Sequence, residues 1–157
     1  MKYISINRLP DFEFHDTNVS LDIFDGSILK INADILNIHQ GTEQNSYNKD
    51  MEIAKAIITF EGFELISYEP GRAFQRGDEG ELYTTDPCVV FMGDSARSRF
   101  LNQLKFGITI YAFAIKEGNT YFIDGIADDP FFTVSFTFKN VIIEWDEYKK
   151  EAWYSSK

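Results

Sequence analysis

One cysteine, Cys88, stands in the whole chain, so no intramolecular disulfide can form and packing alone must hold the fold. Histidine is almost as scarce: His15 and His39 are the only imidazoles available for proton transfer or metal ligation. No stretch approaches the roughly 18–20 consecutive apolar residues of a membrane-spanning helix, and Met1–Pro10 lacks the apolar run of a secretory signal. These absences predict a cytoplasmic protein with no membrane partner. Positive charge is short as well. Fifteen Lys and Arg face twenty-five Asp and Glu, and the resulting charge of −10 would repel a phosphate backbone. Nucleic acid is therefore not an expected partner, whereas a basic protein is. A phosphate-cradling loop is missing too: Gly77-Asp78-Glu79-Gly80 places two acids where phosphates need donors, and no Lys follows.

What the chain has in excess is aromatic rings, fifteen Phe and eight Tyr, which suit a pleated surface. At 157 residues it has the length of one domain, and no linker, repeat or low-complexity stretch divides it. Val19–Phe24 precedes Asp25-Gly26 and the pattern resumes at Ile28, which predicts a hairpin with glycine at positive φ. Leu29, Ile31, Ala33 and Ile35 alternate with polar residues; at Leu36 and Ile38 the parity changes, predicting a bulge or bend. A polar loop follows over Gln40–Asp50. The later part of Met51–Phe60 reads as a strand, turned by Glu61-Gly62 into another over Phe63–Tyr68. Arg72–Asp86 reads as a long exposed loop, Cys88–Met92 as a short buried strand and Ala96–Lys105 as a helix.

Ile108–Ile115 is apolar on both parities, as in a strand buried on both sides, and Glu117-Gly118-Asn119 turns it into Tyr121–Ile126. Phe132, Val134, Phe136 and Phe138 alternate with Thr133, Ser135 and Thr137, the cleanest amphipathic strand in the chain. Val141–Trp145 is one more strand, and Asp146–Tyr154 is charged and compatible with a helix. Eight to ten strands against one or two short helices predict a mainly β or α+β single domain. Its expected architecture is an antiparallel meander forming a sandwich or strongly bent sheet, with an open barrel as the alternative.

Chemistry-bearing groupings are sparse. His15-Asp16 joins an imidazole to a carboxylate, which suits proton transfer or metal binding, and His39 is the only imidazole that could join them. Against this, a metal site needs three or four ligands, and Asp11, Glu13 and Asp16 read equally well as a solvated entry to the first hairpin. Cys88, before Val89-Val90-Phe91, sits in an apolar context that predicts a buried, inert thiol. Asp124, Asp128 and Asp129 cluster near a turn, but their spacing matches no calcium loop and reads as solvated. Farther on, Glu144, Asp146 and Glu147 surround Trp145 and Tyr148, a combination of rings and acids that suits a protein-binding patch.

Phe14-His15-Asp16, the strand Val19–Phe24, Asp25-Gly26 and the long strand Ile28–Ile38 together resemble the start of small β-rich proteins among bacterial polymorphic-toxin immunity families. The resemblance covers the first quarter of the chain. It implies a small cytoplasmic inhibitor that binds a toxin domain and performs no chemistry. The leading expectation is accordingly a non-enzymatic, cofactor-free binding protein. Asp128, Asp129, Glu144, Trp145 and Asp146 are its candidate contacts, and a basic toxin domain is the partner. A second expectation is a small-molecule-binding β-domain with Tyr111, Phe113, Tyr121 and Phe122 around a cavity. The third is an enzyme using His15, Asp16 and His39.

Overall fold

Asp25-Gly26 turns the chain as expected, because Gly26 adopts φ +101° at no steric cost and the Asp25 carboxylate accepts the backbone N–H of Ile28 at 2.9 Å. In the computed structural model, which describes residues 1–155, this turn joins two of sixteen strands. From the N-terminus, β1 (Tyr3–Ile6) is followed by a 3-10 turn at Leu9–Asp11 and the short β2 (Phe12–Glu13). The hairpin of β3 (Asn18–Phe24) and β4 (Ile28–Asp34) leads to β5 (Asn37–Ile38), β6 (Met51–Ile53), β7 (Ala56–Glu61) and β8 (Glu64–Pro70). An exposed excursion carries a small hairpin of β9 (Gln75–Arg76) and β10 (Leu82–Tyr83). Then β11 (Phe91–Met92) enters the one helix among the described residues, α1 (Gly93–Phe106). The remainder is strand: β12 (Ile108–Glu117), β13 (Thr120–Ile126), β14 (Phe132–Thr137), β15 (Asn140–Trp145) and β16 (Tyr148–Glu151).

Ten strands form one antiparallel sheet in the order β1-β15-β7-β4-β3-β12-β13-β14-β8-β11, and four form a second in the order β16-β6-β5-β2. The large sheet folds back on itself as a mainly β sandwich. Phe60 on β7, in one half, meets Phe113 on β12 at 6.3 Å and Phe136 on β14 at 5.8 Å, in the other. The side of this sandwich is closed by α1, whose buried Phe100 stacks on Phe63 at 6.3 Å. The meander holds over β12–β13–β14, while Gly62, at φ +65°, sends the chain from β7 in one half to β8 in the other. Close packing leaves no room at Gly125, where a Cβ would come within 2.8 Å of the Ile108 side chain and 3.0 Å of the Phe132 ring.

The parity change at Leu36 marks a corner. Ile35 takes φ +62° and Asp16, on the partner strand, takes φ +70°, so the hairpin ribbon breaks on both strands at one level. Beyond the break it pairs again as β2 with β5, Phe12 opposite Ile38, now in the second sheet. A β-branched residue in the left-handed region costs on the order of 1–2 kcal/mol, which the pairing on both sides of the corner must outweigh. Thr17, completely buried, ties the corner by donating its hydroxyl to the Ile35 carbonyl at 3.2 Å.

Four sequence expectations are corrected. Cys88 is exposed instead of buried, because only Phe91 and Met92 of its apolar run pair, along the outermost edge of the large sheet. The charged C-terminal stretch is a strand, β16, paired with β6, not a helix. Arg72–Asp86 is exposed as expected but carries the β9–β10 hairpin. Finally, Ile108–Ile115 is not buried on both sides: Tyr111 is 56% and Ile115 59% exposed.

Candidate functional site

The exposure of β12 follows from the corner. Antiparallel pairing of β12 with β3 extends over Ile108 opposite Val19 and Thr109 opposite Asn18 and no farther. One residue on, the Ile110 N–H donates to the Thr17 carbonyl at 2.8 Å, and the Ile110 carbonyl accepts from the Asp16 N–H at 2.9 Å. There the ribbon turns away into the second sheet while β12 continues, past an irregularity between Ile110 and Ala112, paired with β13 along its other edge. The gap between the diverging strands is a groove of about 500 Å³.

Phe12 and Phe14, both buried, form one wall of the groove, and Phe113 and Tyr121 form the other, with Phe14 and Phe113 rings 4.8 Å apart. Leu9 and Pro10 close one end. Polar groups gather at the rim. Glu13 accepts the His15 backbone N–H at 3.0 Å, and the His15 Nδ1 lies 3.2 Å from the Asp16 carboxylate. The His15 ring leans on Tyr111 at 5.3 Å. The chemistry offered is thus an aromatic trough with carboxylates beside it. Tyr111, Phe113 and Tyr121, expected from sequence around a cavity, do line this one; Phe122 does not.

The imidazole pair of the sequence reading divides between two places. Asp50 holds the His39 Nδ1 at 2.9 Å and also accepts the Gln40 N–H at 2.8 Å and the Tyr154 hydroxyl at 2.8 Å. Partial burial alone would raise the Asp50 carboxyl, but these three hydrogen bonds outweigh it and hold the group below the ordinary carboxylate value. Burial, followed by the bond to Asp50, raises the Tyr154 phenol. His39 thus shares with Tyr154 the carboxylate of Asp50. No group of three His, Cys, Asp or Glu able to hold a metal occurs among the described residues.

The expected contact patch is also taken apart. Trp145 is completely buried, stacked on Tyr3 at 5.4 Å and edge-on to Phe12 at 5.8 Å, so it is a core residue and cannot be a surface contact. Asp129 accepts the hydroxyl of the buried Tyr68 and donates its own N–H to the Gln103 side chain at 2.9 Å. It latches the β13–β14 turn to β8 and α1. Asp124 accepts from Thr133 across the same hairpin at 2.6 Å, and Asp128 is exposed. On the opposite half of the large sheet, Glu144 is half-buried in β15 and Asp146 accepts the Lys2 N–H at 3.0 Å. Asp146 lines a broad hollow of about 1,100 Å³ together with Asp34 and Glu147, opposed by Lys55 and Lys149. Sequence reasoning missed the Phe12–His15 wall of the groove. Its one available signal was the spacing of Phe12 and Phe14, two apart, which places both rings on one face of a strand.

Compared with known proteins, the chain matches no family model, no curated protein and no solved structure.

Proposed function

We propose that this chain is a non-catalytic binding protein whose groove between β2 and β12 holds part of a partner protein, in the manner of a small acidic immunity protein that occupies a basic toxin domain. The observation that carries the reading is the exposure of Tyr111 and Ile115 at the mouth of an aromatic trough. Large apolar side chains gathered at a concave surface suit a contact centre, where aromatic anchors supply most of the binding energy. The charge of −10 supports a basic partner by steering its approach. Asp128 and Asp146 stay in the proposal as outlying acids that contribute to this field.

The test is affinity capture from the native host, including the product of the neighbouring gene, with wild-type protein and Ile115→Lys. Ile115 is exposed enough for the substitution to leave the fold intact. We expect one protein to bind the wild type at least tenfold more tightly than the variant. Equal capture by both, or no bound protein at all, would overturn the proposal.

A second reading has its own observation. The groove volume lies within the roughly 300–1,000 Å³ range of small-molecule sites, and Phe12, Phe14, Phe113 and Tyr121 make its walls apolar. Native mass spectrometry of freshly purified protein decides it: a bound small molecule that is lost in Phe113→Ala would place this reading first.

A further inference from the structure

The groove is bordered by two strand edges that are unpaired among the described residues, and this bears on what enters it. Among the described residues no strand pairs with β12 beyond Ile110 on the side away from β13, which leaves an open edge from Tyr111 to Glu117, about 20 Å of extended chain. Across the groove is β2, the outermost strand of the small sheet, which among the described residues pairs only with β5. An unpaired edge exposes a row of N–H and C=O groups and is a template for another strand wherever proline, inward charge, a β-bulge or a covering element does not block it. This stretch has no proline, and its sequence Tyr-Ala-Phe-Ala-Ile contains no charge before Lys116. Irregularities between Ile110 and Ala112 and between Ile115 and Glu117 bracket a regular segment, Ala112–Ile115, lying alongside the groove.

We propose that the groove takes one extended segment of the partner protein as an added β-strand along β12, and that this segment alternates apolar residues with Lys or Arg. The proposal rests on the protein-binding reading above and specifies its mode. Added strands gain affinity from main-chain hydrogen bonds and specificity from alternate side chains. Side chains directed at Phe14, Phe113 and Tyr121 must be apolar; those of opposite parity pass the rim, where Glu13 lines the groove and Asp16 lies next to His15. Arg8, next to the groove residue Leu9, is already neutralised by Asp11 at 2.7 Å and Glu43 at 3.4 Å. A second copy of this chain is disfavoured as the occupant, since each copy brings a charge of −10.

The test is selection of a displayed library of random ten-residue peptides on the full chain, counter-selected on Ile115→Lys. Enriched peptides are then measured for binding and for amide hydrogen exchange. We expect alternating apolar and basic sequences, slower exchange within Ala112–Ile115 on binding, and at least tenfold weaker binding when a central peptide residue is changed to proline. Leu82→Lys, on the β9–β10 hairpin, should bind like the wild type. Enrichment without alternation, proline tolerance, unchanged β12 exchange or no enrichment over Ile115→Lys would each overturn strand addition. So would a dimer of the free chain with protected β12 amides. A native partner that needs Ile115 but leaves β12 exchange unchanged would overturn the mode and leave the protein-binding reading standing; absence of any native partner would remove both.

Discussion

Asp129→Ala should destabilise the fold by about 1–3 kcal/mol, although the residue is only half-buried and lies at a turn. The magnitude follows from its partner. Tyr68 is completely buried, and its hydroxyl donates to the Asp129 carboxylate; burial first, and that carboxylate second, push the phenol well above its ordinary value. Removing Asp129 strands a buried hydroxyl without its acceptor, which carries the full desolvation cost. The reverse change is milder. Tyr68→Phe leaves a carboxylate that water can reach, so about 0.5–1.5 kcal/mol is expected. In the double variant neither group is stranded, and the cycle should show a favourable coupling of about 0.5–3 kcal/mol. Urea unfolding at pH 7, followed by circular dichroism with all four proteins, measures this. Additive losses would refute the latch, and loss of partner capture by a fully stable Asp129→Ala would instead make Asp129 a contact residue.

Phe60→Ala removes a buried ring that contacts Phe63, Phe113, Phe136 and Phe138 across the sandwich, and should cost about 3–5 kcal/mol in the same urea assay. Alkali should weaken the fold. Burial pushes Tyr148 up to about 12 and also raises Tyr68 and Tyr154, so their stabilisation is complete below the ordinary phenol value of about 10 and is lost as pH rises through the raised values. Tyr148→Phe should flatten the fall of melting temperature with pH above 10. Acid acts on Asp50 with the opposite sign. Its lowered carboxyl stabilises the fold above the ordinary value of about 3.9, and that contribution disappears as pH falls through the lower folded value. Asp50→Asn should therefore reduce the acid dependence of the melting temperature, and an unchanged slope would contradict the His39–Asp50–Tyr154 cluster.

Features decided within a few residues were legible in the sequence. Asp25-Gly26 set the hairpin through glycine's access to positive φ, and the parity change at Leu36 located the corner. Phe132, Val134 and Phe136 of β14 face the core as their alternation predicts, although Ser135, at an irregularity, is buried with them. What the sequence hid depends on which strand lies beside which. Ile108–Ile115 has the composition of a strand covered on both faces, yet its cover is withdrawn where Asp16 and Ile35 turn the neighbouring ribbon aside. Cys88 looked buried by its apolar neighbours, but those neighbours lie along the end of a sheet. Trp145 stood among acids, whereas Val141, Ile143 and Trp145 share one parity, and that parity faces the core. Period outweighed neighbourhood there. For the groove itself, Tyr111, Phe113 and Tyr121 were readable as a group, but the opposing Phe12–His15 wall required the corner to be known.

The corner also governs how the molecule comes apart. Each strand of the small sheet runs on into a strand of the large one: β2 into β3, β4 into β5, β6 into β7 and β15 into β16. Bonds from the Ile53 N–H to Leu36 at 2.8 Å and from the Ala54 N–H to Glu147 at 3.1 Å tie these crossings to one another. Four shared chains leave the small sheet no hinge of its own, so pulling it loose means unzipping the centre of the sandwich. Its interior amides, on β5 and β6, should exchange with deuterium only through the same global opening that frees β4 and β7, and a denaturant series of exchange rates should merge them into one unfolding unit.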